Sequence, residues 1–243
     1  MLESRPFGAL ALAYDQIMAE VDYEAWAEFV LAQAGGARPG RVLDLGCGTG
    51  NSSAPFLQRG CQVTGLDASA EMLRVAQSKW PRAEWVLASL PHFQLPDRYQ
   101  LIVSFFDALN NLLDPAELLE TFWRCRQLLL LGGTLACDFN TRLGVCELWE
   151  GGRIQGSLEA AGHRVSYDWL HHYDPAGGVG TVLASFQVDG QDYLEVHRER
   201  GYDPDELASL AAQAGFSQVD LRVFPDGTAP DLLSERVWLF AGG

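Results

Sequence analysis

Basic residues are scarce in this chain: 17 Lys and Arg stand against 32 Asp and Glu, a formal net charge of −15. A nucleic-acid binder needs a positive field to neutralise phosphates, and no Lys/Arg cluster offers one locally. An anionic membrane surface is disfavoured for the same reason. Long apolar runs are also lacking. LLLLGG at 128–133 is too short to span a bilayer and follows directly on WRCRQ. The opening MLESRPFGALALAYDQ has a short apolar run followed at once by an acid, with no small-residue cleavage site, so no secretory signal is expected. The five cysteines, Cys47, Cys61, Cys125, Cys137 and Cys146, are scattered and form no CxxC pair. They read as reduced thiols of a cytoplasmic protein. Internal repeats and low-complexity segments are missing too.

What is present suits a folded enzyme-sized domain. Apolar residues make up 48% of the 243 residues and charged residues 20%, which favours a sizeable core over disorder. Residues 8–34 carry apolar positions at helical spacing, with Leu10, Tyr14, Ile17 and Met18, then Tyr23, Trp26, Phe29 and Val30. After the break at GGARPG, short apolar strands alternate with helices: RVLDLG, QVTGLD (62–67), AEWVLA (83–88), YQLIVSFF (99–106) and GGTLACDFN (132–140). The intervening helices are placed at 69–80, with Ser69 as N-cap, and at 115–130, with Pro115 in the first turn. Asn51 or Ser52 is the expected cap of the helix after the first of these strands. This rhythm predicts a parallel sheet covered on both faces.

The rhythm changes after Asn140. HRVSYDWLHHYD (163–174), TVLASFQV (181–188) and DYLEVHRER (192–200) alternate with period two, and Asp189-Gly190 is a hairpin turn. A three-stranded antiparallel meander is expected there. Its face with Val165, Tyr167, Trp169, His171 and Tyr173 could wall a pocket, pack on the core or meet another subunit. A helix at 204–214 and strands at 216–224 and 235–240 close the chain.

The chemistry is concentrated in VLDLGCGTG (42–50), a buried strand running into a glycine-rich turn that opens a helix. Bare backbone there lets a ligand approach, and a helix N-terminus offers unpaired N–H groups. The next strand ends in Asp67, placed to accept two hydrogen bonds from a ribose diol. A dinucleotide fingerprint would need a third glycine at Asn51; the spacing here is G-x-G-x-G. Asp44, before the turn, would repel a pyrophosphate and suits an ammonium group. These features oppose an NAD-dependent oxidoreductase.

On these residues the chain resembles the class I S-adenosylmethionine-dependent methyltransferases, over nearly its whole length. VTGLDASAEMLRVA resembles the family's second motif, LIVSFFDALNNLL its fourth-strand motif, and GFSQVDLRVF with ERVWLF its terminal strand pair. AYDQIMAEVDYEAWAEFV, and DFNT (138–141) before an inserted antiparallel sheet, resemble a subgroup acting on small molecules, including glycine and amino-sugar N-methyltransferases.

The resemblance implies a Rossmann-like doubly wound α/β fold. It has a mostly parallel seven-stranded sheet with an antiparallel last strand and the small inserted meander. It implies an N-terminal helical cap (1–38), a cofactor domain (39–142 and 200–243) and an insertion at 143–199. The cofactor would be S-adenosyl-L-methionine, held by Asp44, Gly46, Cys47 and Gly48, by Asp67, Ala68 and Met72, and by Phe105. The usual acid after the third strand is replaced by Ser89, so the backbone of Ser89 and Leu90 is assigned to the adenine. An arginine that some relatives use for the cofactor carboxylate is missing between Tyr14 and Gln33; Tyr14 and Tyr23 are the candidates at the methionine end. Asp107, Asn110 and Asn111, after the fourth strand, are assigned to the substrate side.

No catalytic triad is expected, because aligning a nucleophile with a sulfonium methyl is mainly a proximity effect. His171 and His172 point to opposite faces of a strand, so with His197 they make no metal site. One of these three, or His163, could act as a base. The expected partner is a small-molecule methyl acceptor, with no nucleic acid and no membrane; a homodimer is compatible with this reading. The rivals are a cofactor-binding module without methyl transfer and a methyltransferase acting on protein.

Overall fold

The computed structural model describes residues 2–4, 6–160 and 162–243. In chain order its elements are β1 (Leu2–Glu3), α1 (Tyr14–Ile17), α2 (Tyr23–Gln33), β2 (Arg41–Leu45), α3 (Ala54–Gln58), β3 (Gln62–Asp67), α4 (Ala70–Lys79), β4 (Glu84–Leu87), β5 (Tyr99–Ser104) and α5 (Pro115–Leu128). They continue with β6 (Leu129–Asn140), α6 (Arg142–Trp149), β7 (Arg153–Ala160), β8 (His163–Asp174), β9 (Val179–Val188), β10 (Gln191–Arg200), α7 (Pro204–Gln213), β11 (Gln218–Arg222) and β12 (Arg236–Gly242).

The main sheet has seven strands in the order β11-β12-β6-β5-β2-β3-β4. The pairs among β2, β3, β4, β5 and β6 are parallel, and β12 runs antiparallel to both neighbours. This is the Rossmann-like sheet expected, with the last strand reversed. Successive residues of a strand face opposite layers, and the sequence honours this. Leu43 and Leu45 join one buried cluster, with Phe122 of α5 and Leu207 of α7. Val42 joins another, with Ala27, Phe29 and Val30 of α2 and Phe56 of α3. Both layers are buried, so the strands read as continuous apolar runs.

The insertion differs from the expected meander. It has four antiparallel strands, β7 to β10, and β1 adds to β10 in parallel. The strand missed in the sequence is β7, RIQGSLEA, which lies at the sheet edge and exposes most of its residues. An edge strand buries too little to need a regular apolar alternation. Gly156 breaks its pattern further, because the Tyr167 ring occupies the space where a side chain would stand.

The aromatic face of β8 is covered. Tyr167, Trp169 and Tyr173 pack with Phe186 of β9, Val145 and Trp149 of α6, and Leu10 and Ala13 of the N-terminal segment. Part of that face is thus spent on core packing, with Tyr167, Trp169 and Tyr173 each half-buried. The N-terminal region is therefore divided: residues around Leu10 join the insertion, whereas α2 packs on the main sheet. Among the described residues no helix is long and apolar enough to cross a membrane.

Candidate active site

The turn after β2 is built on glycines in the left-handed region, at φ +69° for Gly46 and +52° for Gly48. A Cβ on Gly46 would sit 2.6 Å from that of Ala108, so β2 and the segment after β5 approach as closely as bare backbone allows. At Gly48 the nearest atom to such a Cβ would be Tyr14 Cε1, at 3.8 Å. The N–H of Gly48 donates to Asp67 Oδ2 at 2.9 Å, and that of Ser69 donates to Asp67 Oδ1 at 2.8 Å. Burial pushes the Asp67 carboxyl up, and these N–H groups pull it back. Each oxygen keeps a lone pair for a diol.

Asp44 is fully buried at the end of β2. Its Oδ2 accepts the hydroxyls of Ser52 and Ser53, both at 2.6 Å, while Oδ1 is buried with no partner. Burial raises its pKa to about 6 despite the two hydroxyls. A buried, unpaired carboxylate oxygen at a glycine turn fits a cationic ligand group. The same bonds correct the capping expectation. The N-cap of α3 is Ser53, without a side-chain cap bond, because the hydroxyls of Ser52 and Ser53 serve Asp44. Asn51 bonds Asp15 and Lys79 instead. Ser69 caps α4 as expected, accepting from Met72 N at 3.2 Å.

The N-terminal segment closes over this turn. Asp15 Oδ1 accepts from Thr49 Oγ1 at 2.5 Å and Asn51 Nδ2 at 3.0 Å, and Lys79 Nζ lies 2.6 Å from its Oδ2. The Tyr14 hydroxyl is held protonated by burial, with Tyr23, Asp107, Asp67 and Asp15 as its charged or ionisable neighbours. Tyr23 is likewise raised by burial, with the Asn51 side chain opposing the shift. Tyr14 thus gathers with Gly48 and Asp67, and Tyr23 with Asn51 of the same turn.

The other candidates divide. Cys47 and Met72 are buried beside the turn and on α4, Ala68 and Ser89 are exposed, and Leu90 packs on the core. The Phe105 ring is buried among Trp26, Phe56 and Trp238, so it offers the site only backbone. Asn110 is fully buried and spent on backbone: Nδ2 donates to Asn140 O at 2.9 Å and Arg200 O at 2.7 Å, and Oδ1 accepts Asn140 N at 3.2 Å. It pins the two strands that lead into and out of the insertion. Asn111 is exposed and donates to Ala108 O.

Asp107 belongs to a buried charge cluster that the sequence did not reveal as one. Arg236 Nη1 lies 2.9 Å from Asp107 Oδ1 and bonds Asp138 Oδ2, and its guanidinium sits over the rings of Trp26 and Phe106. Asn140 Nδ2 donates to Asp107 Oδ2 at 3.0 Å. Burial raises Asp138 to about 6, opposed by Arg236. Burial and the Asp107 charge hold Glu199 of β10 well above the usual carboxylate range, and Asn140 Nδ2 lies 3.5 Å from its Oε2. Phe106 and Asp107 are both non-glycine residues in the left-handed region, at φ +59° and +50°. A signal for Glu199 existed: Tyr193, Glu195, His197 and Glu199 lie on the inward face of β10, where a meander should be apolar.

The histidines are scattered. His163 pairs with Asp189 on the surface, His171 packs on Trp149, His172 is exposed and His197 meets Glu195. Among the described residues no group of three or more His, Cys, Asp or Glu is arranged to hold a metal ion.

Comparison with known proteins places this geometry in a family. Residues 42–133 match the model of a methyltransferase domain. A protein of Geobacillus sp. (strain WCH70), named provisionally as a methyltransferase, is 30% identical over 97% of this chain and 98% of its own. An S-adenosylmethionine-dependent methyltransferase from Clostridium acetobutylicum ATCC 824 superposes with a TM-score of 0.80 at 22% identity, covering 97% of this chain and 98% of that one. CalS10 of Micromonospora echinaspora, an amino pentose methyltransferase with S-adenosylmethionine bound, gives a TM-score of 0.70 at 19% identity over 95% of both chains. With its G-x-G-x-G turn, the acid ending β3 and a buried carboxylate suited to an ammonium group, the chain belongs to the class I S-adenosylmethionine-dependent methyltransferases.

Proposed function

We propose that this enzyme methylates a nitrogen or oxygen of a small molecule at the carboxyl edge of its main sheet. The observation that carries the reading is the close approach of the cofactor turn to the segment that bears Asp107 of the charge cluster: a Cβ on Gly46 would sit 2.6 Å from that of Ala108. The two halves of a transfer site therefore meet under the N-terminal segment. When bound, S-adenosylmethionine supplies a methyl carbon on a sulfonium, already a good leaving group.

The residues of the chain do the rest. Asp67 would hold the ribose diol, Asp44 the ammonium, and the backbone at Ser89 and Leu90 the adenine. Met72 would lie beside the ring. Tyr14 and Tyr23 would close the methionine end and keep water out, which favours the aligned pair. Asp107 and Glu199 face the acceptor side. An amine has to lose its proton before attack and a hydroxyl needs help losing its own, and Glu199, whose raised proton affinity makes it a stronger base than an ordinary carboxylate once it has ionised, is the group suited to take it.

A small acceptor suits the closed N-terminal segment and the charge of −15, which leaves no positive track for nucleic acid. The amino pentose acceptor named for CalS10 makes amines the first class to try. The test is a transfer assay with labelled methyl over amines, amino sugars, hydroxy acids and protein extracts. Label in a small amine or alcohol supports the reading; label confined to protein overturns it.

A further inference from the structure

Two inward residues of β10, Glu195 and His197, take no part in the transfer site. Glu195 is fully buried, yet its carboxyl is held below the usual range. Burial pushes it up, but His197 and the N–H groups of Leu10 and Ala9 outweigh that effect. Oε1 accepts from Ala9 N at 2.6 Å and Leu10 N at 3.2 Å; Oε2 accepts from Phe7 N at 2.9 Å and lies 3.0 Å from His197 Nε2. One carboxylate thus collects three backbone donors from four residues of chain, as an anion does in a backbone nest.

The segment it holds leads directly to the cofactor. The carbonyl of Phe7 accepts Ser69 Oγ at 3.0 Å, two residues past Asp67. The Phe7 ring meets His197 and Tyr14 edge-on, at 4.7 and 6.3 Å between centroids. Tyr14 lies against Gly48, and Asp15 bonds Thr49 and Asn51. A strap from Phe7 to Asp15 therefore crosses the glycine turn, fixed at one end by the turn and at the other by a buried charge of the insertion.

We propose that Glu195 is a positioning residue for the cofactor: it latches the N-terminal strap in its closed place, and cofactor exchange requires that latch to open. The insertion then has a role in holding the cofactor, separate from any contact with the acceptor. This inference rests on the cofactor site and not on the identity of the acceptor. A ligand that must be uncovered before it leaves departs at a rate set by the opening step.

Two variants test the latch from opposite sides. Glu195→Gln replaces the carboxylate with a group that turns a donor toward donors. Ala9→Pro removes one N–H; Ala9 already has φ −69°, which proline adopts, and its N–H otherwise reaches only Ser4 Oγ, at 3.2 Å. Release of S-adenosylhomocysteine is followed by stopped-flow tryptophan fluorescence, and hydrogen exchange is measured on peptides covering 6–13 and 41–45. The expected result is faster exchange at 6–13 with 41–45 unchanged, and release at least about tenfold faster. A merely structural role would lower the melting temperature and leave release from the folded protein unchanged. Release within about twofold of wild type, or unchanged protection at 6–13, overturns the proposal. If Glu195→Gln fails to fold, Ala9→Pro alone decides by the same two readings.

Discussion

Asp67 Oδ2 accepts the backbone N–H of Gly48 at 2.9 Å, so the acid that ends β3 is tied to the turn that follows β2. The carboxylate that would read a ribose is thereby aimed before any ligand arrives. Asp67→Ala removes this tie and the diol's two acceptors. Hydrogen bonds to a charged group contribute about 1.5–3 kcal/mol each. Cofactor affinity measured by calorimetry should fall by two orders of magnitude or more; wild-type affinity would remove Asp67 from the site.

Asp44 gives a prediction about pH. Its folded pKa of about 6 lies above the unfolded value of 3.8, so the folded state holds this proton more tightly. The stability associated with that proton is present in full below about pH 4 and is lost as pH rises through 6. Asp44→Asn should make the ligand-free protein more stable at pH 8, by on the order of 1–3 kcal/mol, while weakening cofactor binding. Melting curves at pH 5 and pH 8 check it. Equal effects of the substitution at both pH values would show that Asp44 carries no such shift.

The paired asparagines separate structure from binding. Asn110→Ala would remove three buried hydrogen bonds, to Asn140 N–H, Asn140 O and Arg200 O, so a loss of about 2–4 kcal/mol is expected in denaturant unfolding. Asn111→Ala, on the surface, should stay within about 0.5 kcal/mol. Equal stability of the two variants would contradict the role given to Asn110.

Glu199→Gln keeps the shape of the side chain and removes its proton chemistry. Once an acceptor is found, the variant should bind cofactor with unchanged Kd and lose about 10²–10⁴-fold in kcat. The acidic limb of its pH–rate profile should move or vanish. A lowered kcat with the wild-type pH profile would assign Glu199 to positioning.

Much of the fold was legible because local physics fixes it. The apolar runs of β2, β3 and β5 are buried on both faces, and the helices between them carry caps at Ser69 and Asp114. Asp189 and Gly190, both at positive φ, form the hairpin that their dipeptide announced. The glycine turn was equally readable, since Asp44, Gly46, Gly48 and Asp67 lie at a turn and a strand end whose places follow from the pattern alone.

Tertiary structure decided the rest. Residues far apart in the chain build the buried charge cluster: Asp107, Asp138, Glu199 and Arg236 meet only because β5, β6, β10 and β12 end at one edge. Phe105 looked like a ligand contact, and packing turned its ring inward. Asn110 looked like a substrate contact, and three backbone groups claimed it. The sequence by itself determined the strand–turn–helix that carries the G-x-G-x-G turn, because hydrogen-bonding and steric rules act over a few residues. Which buried polar groups satisfy one another, and so which side chains remain for chemistry, was settled only when distant segments came together, as Glu195 and the backbone of Phe7, Ala9 and Leu10 do.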